Sequence, residues 1–159
     1  MVSVEMLKDF QLFEGLDEGE LVEIAKLCHQ RSYEEGSVIF TAGGSATDIY
    51  LLKNGEVKIQ IELIIYNLEA SASVYTARKG EVFAWSALVP PHKLTASARC
   101  QQKTEVITIN GKDLMNILKK NNHIGSMVMQ NLSKVISSRL AATMVTLRHQ
   151  IQKASASKA

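Results

Sequence analysis

Few side chains in this sequence have the types and spacing that catalysis requires. The 159 residues contain no Gly-x-Ser-x-Gly elbow, no Walker A phosphate loop and no His-Glu-x-x-His helix. The four histidines fall on separate predicted elements, and we expect no strand to carry one, whereas a metal site needs clustered ligands. We therefore predict neither an enzyme nor a metal site. The histidines are His29, His92, His123 and His149.

Two other groupings suit binding better than catalysis. Arg139 and Thr143 stand four residues apart, so they share one face of a predicted helix. Such a pair either reaches a ligand or forms part of a solvated helix face. Trp85 has an aromatic face that either lines a ligand pocket or fills an empty one. The residues leave both alternatives open.

Composition and charge narrow the class of protein. Apolar residues make up 46% of the chain and charged residues 21%, as in an ordinary globular domain. The formal net charge of +2 is too small to indicate nucleic-acid binding. Cys28 and Cys100 lie far apart without metal-ligand spacing, which favours reduced thiols in a cytoplasmic protein. We expect no signal peptide, and the longest apolar run, 63–68, is too short to cross a membrane.

The first elements are helical. Apolar positions over 2–13 follow helical spacing, and a second helix begins at Asp17. Asp17 and Glu20 form a capping box, in which each side chain accepts a hydrogen bond from the other residue's backbone N–H. The apolar face of this second helix is predicted to run through Cys28 to about His29.

After Arg31 the apolar period changes from 3.6 to 2, which indicates strands. We predict them over 38–40, 48–52, 57–61, 64–69, 73–77, 95–100 and 105–110. Asn54-Gly55 is the strongest short hairpin signal, because both residue types tolerate the positive φ of a type I′ turn. Short strands at this spacing favour a mostly β fold of the sandwich or β-roll type.

The C-terminal third returns to helical spacing, over 112–120 and then over 124–152. Four apolar residues of the second segment step by four, three and four positions, as in a coiled-coil seam. A helix of about 28 residues is about 42 Å long, whereas a domain of this size has a radius of gyration of about 15 Å. The overhang predicts a homodimer formed through this helix. The seam residues are Leu140, Met144, Leu147 and Ile151.

The sequence thus predicts one domain over 1–153, with a β-roll at about 32–110, a long helix at about 124–152 and a flexible tail at 154–159. This order resembles the cyclic-nucleotide-binding domain family. The segments 33–40 and 49–57 resemble the family's first strands and glycine turn. Gly80-Glu81-Val82-Phe83 resembles the beginning of its phosphate-binding cassette, and 106–109 resembles its last strand. The resemblance covers about Leu7 to Leu147.

The resemblance implies a double-stranded β-helix (a β-roll or jelly-roll) with N-terminal helices and a long C-terminal dimerisation helix. It also implies a short cassette helix near 84–87, ended by Pro90-Pro91, whose N-terminal amides hold an anion. Polar positions of catabolite-activator-type proteins that reach the ligand match Arg139 and Thr143. The implied ligand-binding residues are Phe83, Ala84, Trp85, Ser86, Ala87, Lys93, Leu94, Thr95, Arg139 and Thr143.

The cassette departs from the family pattern at its two main ligand groups. Trp85 matches the glutamate that binds the ribose, and Leu94 matches the arginine that binds the phosphate. Lys93 is adjacent, but its ammonium is a point charge and lacks the planar guanidinium with which arginine donates two parallel hydrogen bonds. Each charge-assisted hydrogen bond contributes about 1.5–3 kcal/mol, so the loss would weaken a cyclic nucleotide by roughly 10²–10⁴-fold.

The sequence is consistent with two functions. The first is a regulatory domain that binds a small anionic effector, a cyclic nucleotide such as cAMP or another anion, and signals to a protein partner through the long helix. The second is a structural or protein-interaction dimer whose pocket is plugged by Trp85. Regulators resembling the catabolite activator carry a DNA-binding domain after the long helix. About eight residues follow Ile151 here, so we expect no direct DNA contact.

Overall fold

The computed structural model describes residues 1–157 as two antiparallel β-sheets flanked by helices. Short 3-10 helices add Gln11–Phe13 and Trp85–Ala87 to the regular elements. The helices are α1 (Val4–Lys8), α2 (Glu18–Ala25), α3 (Gly111–Lys120) and α4 (Asn122–Ala156). The strands are β1 (Cys28–Tyr33), β2 (Val38–Phe40), β3 (Asp48–Asn54), β4 (Val57–Ile65), β5 (Leu68–Ala77), β6 (Val82–Phe83), β7 (Ser97–Cys100) and β8 (Thr104–Asn110).

The sheets have the strand orders β1-β8-β3-β6 and β2-β7-β4-β5. The larger core lies between the first sheet and the helices, and a smaller core lies between the two sheets. The mostly β fold with flanking helices and a long C-terminal helix, which the sequence predicted, is confirmed. In the part of the chain that the structure describes, no helix is long and apolar enough to cross a membrane.

The predicted capping box at Asp17 and Glu20 is present. Asp17 Oδ1 accepts from the Glu20 amide at 2.9 Å, and Glu20 Oε2 accepts from the Asp17 amide at 3.0 Å. The extent of the helices was wrong at two points. The segment 2–13 divides into α1 and a 3-10 helix, and α2 ends at Ala25, so Cys28 and His29 belong to β1. This edge strand is mostly exposed and polar, so it lacks the apolar alternation that marks a strand.

The hairpin predicted at Asn54-Gly55 was also wrong. Strands β3 and β4 lie in different sheets, so this turn carries the chain from one sheet to the other. Gly55 has φ +104°, and a Cβ there would lie 2.6 Å from Thr104 Oγ1. The hairpin between β4 and β5 turns instead at Tyr66 and Asn67, both with positive φ, inside the strand predicted over 64–69.

Asparagine side chains begin both C-terminal helices. Asn110 Oδ1 accepts from the backbone at the start of α3, and Asn121 Oδ1 does the same for α4. Buried residues occur along α4 only as far as Val135. Beyond that point, the seam residues Leu140, Met144, Leu147 and Ile151 are 57–60% exposed. Residues 154–156 of the predicted tail lie in α4, while 158 and 159 lie outside the described residues.

Candidate functional site

The cassette segment begins where β6 ends. Phe83 pairs with Tyr50 of β3, which fixes the position of the following turn. Ala84 adopts a left-handed conformation with φ 60°, and Trp85–Ala87 then form one 3-10 turn. An L-residue other than glycine, asparagine or aspartate rarely adopts this conformation, which costs about 1–2 kcal/mol. The cassette helix predicted near 84–87 is therefore a single turn.

A cavity of about 80 Å³ lies against this turn, and we call it the cassette cavity. Seven of the ten residues expected at a ligand site line it, together with three that the sequence did not indicate. The seven are Phe83, Ala84, Trp85, Ser86, Leu94, Thr95 and Arg139. The three others are Phe40, Ile59 and Ala96.

The remaining three expected residues lie outside the lining. Ala87 is buried on another side of the turn, where its carbonyl oxygen contacts Gly111 of α3. Lys93 is exposed and forms an isolated β-bridge with Ser45. Thr143 donates its hydroxyl to the Arg139 carbonyl oxygen at 2.8 Å, within α4. The structure therefore separates Lys93 and Thr143 from the cavity surface.

Arg139 connects α4 to the cavity. Its Nη2 donates to the Val82 carbonyl oxygen at 3.2 Å. Its guanidinium lies 3.6 Å above the centre of the Tyr75 ring and 5.1 Å from the Trp85 ring. Among residues 1–157, Arg139 takes part in no salt bridge. Burial lowers the pKa of Arg139 from its ordinary value, because the surroundings penalise an unpaired charge.

Tyr75 is the main functional candidate that the sequence analysis missed. Its hydroxyl donates to Glu81 Oε1 at 2.6 Å, and Glu81 Oε2 accepts from the Arg78 amide at 2.8 Å. Burial is the main cause that raises the pKa of Tyr75. These bonds hold the ring in place beneath the Arg139 guanidinium. No local motif marks Tyr75, because its position depends on the packing of α4 against β5.

Aromatic side chains form the wall behind the cavity. The rings of Tyr50 and Phe83 stack with centroids 5.2 Å apart, and Phe40 lies 5.6 Å from Tyr50. Burial is the main cause that raises the pKa of Tyr50 to about 12. This wall is mostly aromatic, and the polar side-chain groups of the lining are the hydroxyls of Ser86 and Thr95, the indole N–H of Trp85 and the guanidinium of Arg139.

The cavity is small for a ligand. Pockets that bind drug-sized molecules enclose about 300–1,000 Å³, whereas this space would hold two or three water molecules at about 30 Å³ each. Trp85, which is half-buried and packs against the larger core, is one of the bulky side chains that line this space. A nucleotide-sized molecule fits only if Trp85 or Arg139 moves.

No described group of three His, Cys, Asp or Glu residues is arranged to hold a metal ion. His29 lies in a strand, contrary to the expectation that no strand carries a histidine, and its neighbours do not complete a metal site. His123 pairs with Glu20 at 2.6 Å. Seven of the ten residues expected at a ligand site thus meet at the cassette cavity.

Comparison with known proteins agrees with the fold. The family model for the cyclic nucleotide-binding domain matches residues 30–121. A solved structure from Geobacter metallireducens GS-15, assigned to the cyclic nucleotide-binding proteins, is 29% identical with a TM-score of 0.74. The match covers 88% of this chain and 99% of that one.

Two curated proteins also match, each over a part of its length. One is assigned as a potassium channel protein of Rhodopseudomonas palustris and is 24% identical over 82% of this chain. The other is glutaminase 1 of Bradyrhizobium diazoefficiens, 25% identical over 84% of this chain. The chain spans 30% of the first and 21% of the second. The matched part is therefore a module within larger and unlike proteins.

Proposed function

The chain belongs to the cyclic nucleotide-binding domain family, and from that premise we propose that it is a regulatory ligand-sensing domain and not an enzyme. A small anionic, nucleotide-like effector enters the cassette cavity and changes the packing of α4. The observation that carries this proposal is the position of Arg139, a residue of α4 whose guanidinium lies in the lining of the cavity.

The charge of Arg139 supports an anionic effector. The guanidinium is partly desolvated and has a backbone carbonyl and two aromatic rings as neighbours, but no carboxylate partner among residues 1–157. An anion bound there would compensate the charge and could receive two parallel hydrogen bonds from the planar fork. A neutral ligand of similar size would leave the charge unpaired.

Effector binding would reach α4 through this same residue. The cavity of about 80 Å³ must enlarge to admit a nucleotide-sized molecule, and in this proposal it does so when Arg139 leaves the Val82 carbonyl or Trp85 leaves the cavity. Either movement changes how α4 packs on β5 and β6. The effector shifts the population towards the open arrangement only if it binds that arrangement more tightly.

The residues of the cassette limit which effectors can bind tightly. Trp85 and Leu94 stand where the family places its glutamate and arginine, so we propose weak binding of cAMP and cGMP or preference for another anion. Ser86 and Thr95 offer hydroxyls in the lining. Lys93 is exposed beside Leu94 and would supply a further charge only after a movement of its side chain.

We further propose that α4 carries the signal as a dimer helix. Its seam past Val135 stays exposed in a single chain and is continuous over two heptads. A second copy of the chain would cover it, and a protein partner would respond to the altered helix pair. Direct contact with nucleic acid or a membrane is not part of this proposal. The free, buried thiols of Cys28 and Cys100 support a cytoplasmic setting.

Thermal shift of the purified protein against cAMP, cGMP, cyclic dinucleotides and common anionic metabolites tests the proposal. A ligand at a hundred times its Kd stabilises the fold by about 2.7 kcal/mol, which corresponds to a Tm shift of several degrees. We expect an anionic compound to give this shift in the wild type and a much smaller one in Arg139→Met. An equal shift in both proteins would remove Arg139 from the site.

The small cavity volume favours one second candidate, a protein-interaction module whose pocket is plugged by Trp85. In that case every compound of the panel leaves the Tm unchanged, and Trp85→Ala lowers the stability without creating a ligand response. A response that appears only in Trp85→Ala would identify the tryptophan as a plug over a pocket that still binds.

A further inference from the structure

A second and larger cavity lies beside the cassette turn. It encloses about 660 Å³, within the range of about 300–1,000 Å³ typical of ligand pockets. It shares no lining residue with the cassette cavity. Its walls come from the loop between β2 and β3, the loop after the cassette turn and one face of α3. The lining includes Thr47, Ala87, His92, Lys112, Met115 and Lys119.

One face of α3 forms a continuous wall of this cavity. Lys112, Met115, Asn116 and Lys119 line it at positions i, i+3, i+4 and i+7, which is the spacing of a single helix face. The two lysines are two turns apart, a rise of about 10 Å along the axis. The wall therefore presents an apolar and an amide side chain between two cationic ends.

The electrostatic character of the cavity is uniformly basic. Its lining includes Lys112, Lys119 and His92 and contains no carboxylate. Neither lysine forms a salt bridge with any residue in 1–157. Asp48 and Asp113 are sequence neighbours of lining residues, but neither belongs to the lining. An anion in this space would meet two unpaired ammonium groups and no opposing charge.

The lysine side chains, and not the start of α3, would hold such an anion. The Asn110 Oδ1 atom already accepts from the amides of Lys112 and Asp113, at 3.0 and 3.3 Å. The Gly111 amide donates to the Thr47 carbonyl oxygen at 2.8 Å. The first backbone donors of the helix are therefore occupied, and the site depends on the flexible ammonium groups.

Two contacts connect this cavity to the cassette turn. His92 Nδ1 lies 3.0 Å from the Ser86 carbonyl oxygen. At Gly111, a Cβ would clash with the carbonyl oxygen of Ala87, so α3 packs directly on the turn. A molecule in the cavity would touch both the turn and α3, the helix that leads into α4.

We propose that this cavity is a second ligand site, one that takes a small phosphorylated metabolite. Its phosphate groups pair with Lys112 and Lys119, and its apolar part lies against Ala87, Pro91 and Met115. This site does not require the cassette cavity to bind an effector. When both are occupied, the second ligand changes the response of the cassette through the contacts at Ser86 and Ala87.

Titration of ¹⁵N-labelled protein with ATP, with tripolyphosphate and with adenosine tests the proposal. We expect saturable chemical-shift changes with ATP and tripolyphosphate at the amides of 45–47, 92 and 111–119, and none with adenosine. Exposed ion pairs contribute about 0.2–1 kcal/mol each, so the double variant Lys112→Ala/Lys119→Ala should weaken ATP binding by about two- to thirtyfold.

The matched control is Lys103→Ala/Lys120→Ala, which removes the same charge from exposed lysines outside the cavity lining. It should retain the wild-type affinity for ATP. Equal weakening in both double variants, or no saturable change at the named amides, would overturn the second site. Changes confined to 84–86 and 94–95 would also overturn it, because they would assign the binding to the cassette cavity alone.

Discussion

The Arg139 guanidinium lies 3.6 Å above the Tyr75 ring, and this stacking joins α4 to β5. Tyr75 is itself fixed by its hydrogen bond to Glu81, so the arginine rests on an immobilised surface. The guanidinium also donates to Val82, which directly precedes the last residue of β6. The long helix and the cassette strand are thereby connected through one side chain.

A double-mutant cycle with Arg139→Met and Tyr75→Leu measures this contact. Partly desolvated cation–π pairs contribute about 1–2 kcal/mol, so the two substitutions together should destabilise the protein less than the sum of the single effects, by about 1 kcal/mol. Urea denaturation of the four proteins gives the coupling energy. A coupling energy of zero would show that the stacking does not hold α4 on β5.

Restoring the family's two charged groups should create a cyclic-nucleotide site. The double variant Trp85→Glu/Leu94→Arg opens the cavity. It supplies a carboxylate that accepts from the ribose hydroxyl and a guanidinium that donates to the phosphate, each contributing about 1.5–3 kcal/mol. Calorimetry should show cAMP binding roughly 10²–10⁴-fold tighter than in wild type. Trp85→Ala/Leu94→Ala opens the same space without the charges. Equal cAMP affinity in these two double variants would mean that the introduced carboxylate and guanidinium do not contact the nucleotide.

The exposed seam of α4 predicts a dimer that a single charge disrupts. Leu147 is 58% exposed in one chain, and a partner helix would bury it. Leu147→Glu should convert the protein to monomers at micromolar concentration, because a carboxylate would be buried against an apolar partner. Gln150→Glu adds the same charge beside the seam and should leave the dimer intact. Sedimentation equilibrium distinguishes the states, and a monomeric wild type would refute the dimer.

The turn between the two sheets predicts that substitution by alanine lowers the stability much more at Gly55 than at Gly43. Gly55 and Gly43 have φ +104° and +87°, so alanine is strained at both. At Gly55 a Cβ also approaches Thr104 Oγ1 and the Lys103 carbonyl oxygen, whereas nothing lies within 4 Å at Gly43. Gly43→Ala should lower the free energy of unfolding by about 1 kcal/mol, and Gly55→Ala should lower it by at least twice that amount. Equal costs in urea denaturation would contradict the close approach at Gly55.

Local signals in the sequence predicted much of the fold. The capping pair Asp17–Glu20 placed the start of α2, because a cap depends on residues within one turn. Helical spacing placed α3 and α4 to within two residues of their starts. The Asn54-Gly55 signal failed because turn chemistry is local, whereas membership of a sheet depends on distant strands. The true hairpin turn at Tyr66 escaped notice because a bulky residue at positive φ is uncommon.

The residues of the candidate site also fall into two groups, those that the sequence predicted and those that depend on distant parts of the chain. Phe83, Trp85 and Leu94 reach the cassette cavity as the resemblance implied, since they are close along the chain to one turn. Tyr75 could not be found, because its role arises where α4 crosses β5. Thr143 was expected beside Arg139 from helical spacing and from the family resemblance, and its hydroxyl instead bonds within the helix.

Trp85 is the sole tryptophan of the chain, so its fluorescence reports directly on the cassette cavity. The central claim is that an anionic effector opens this cavity and displaces Trp85 or Arg139. Titration with the strongest compound from the thermal-shift panel should change the emission of Trp85 saturably, and Arg139→Met should weaken the apparent affinity about tenfold or more. A bound effector, proven by calorimetry, that leaves the Trp85 emission unchanged would contradict the account.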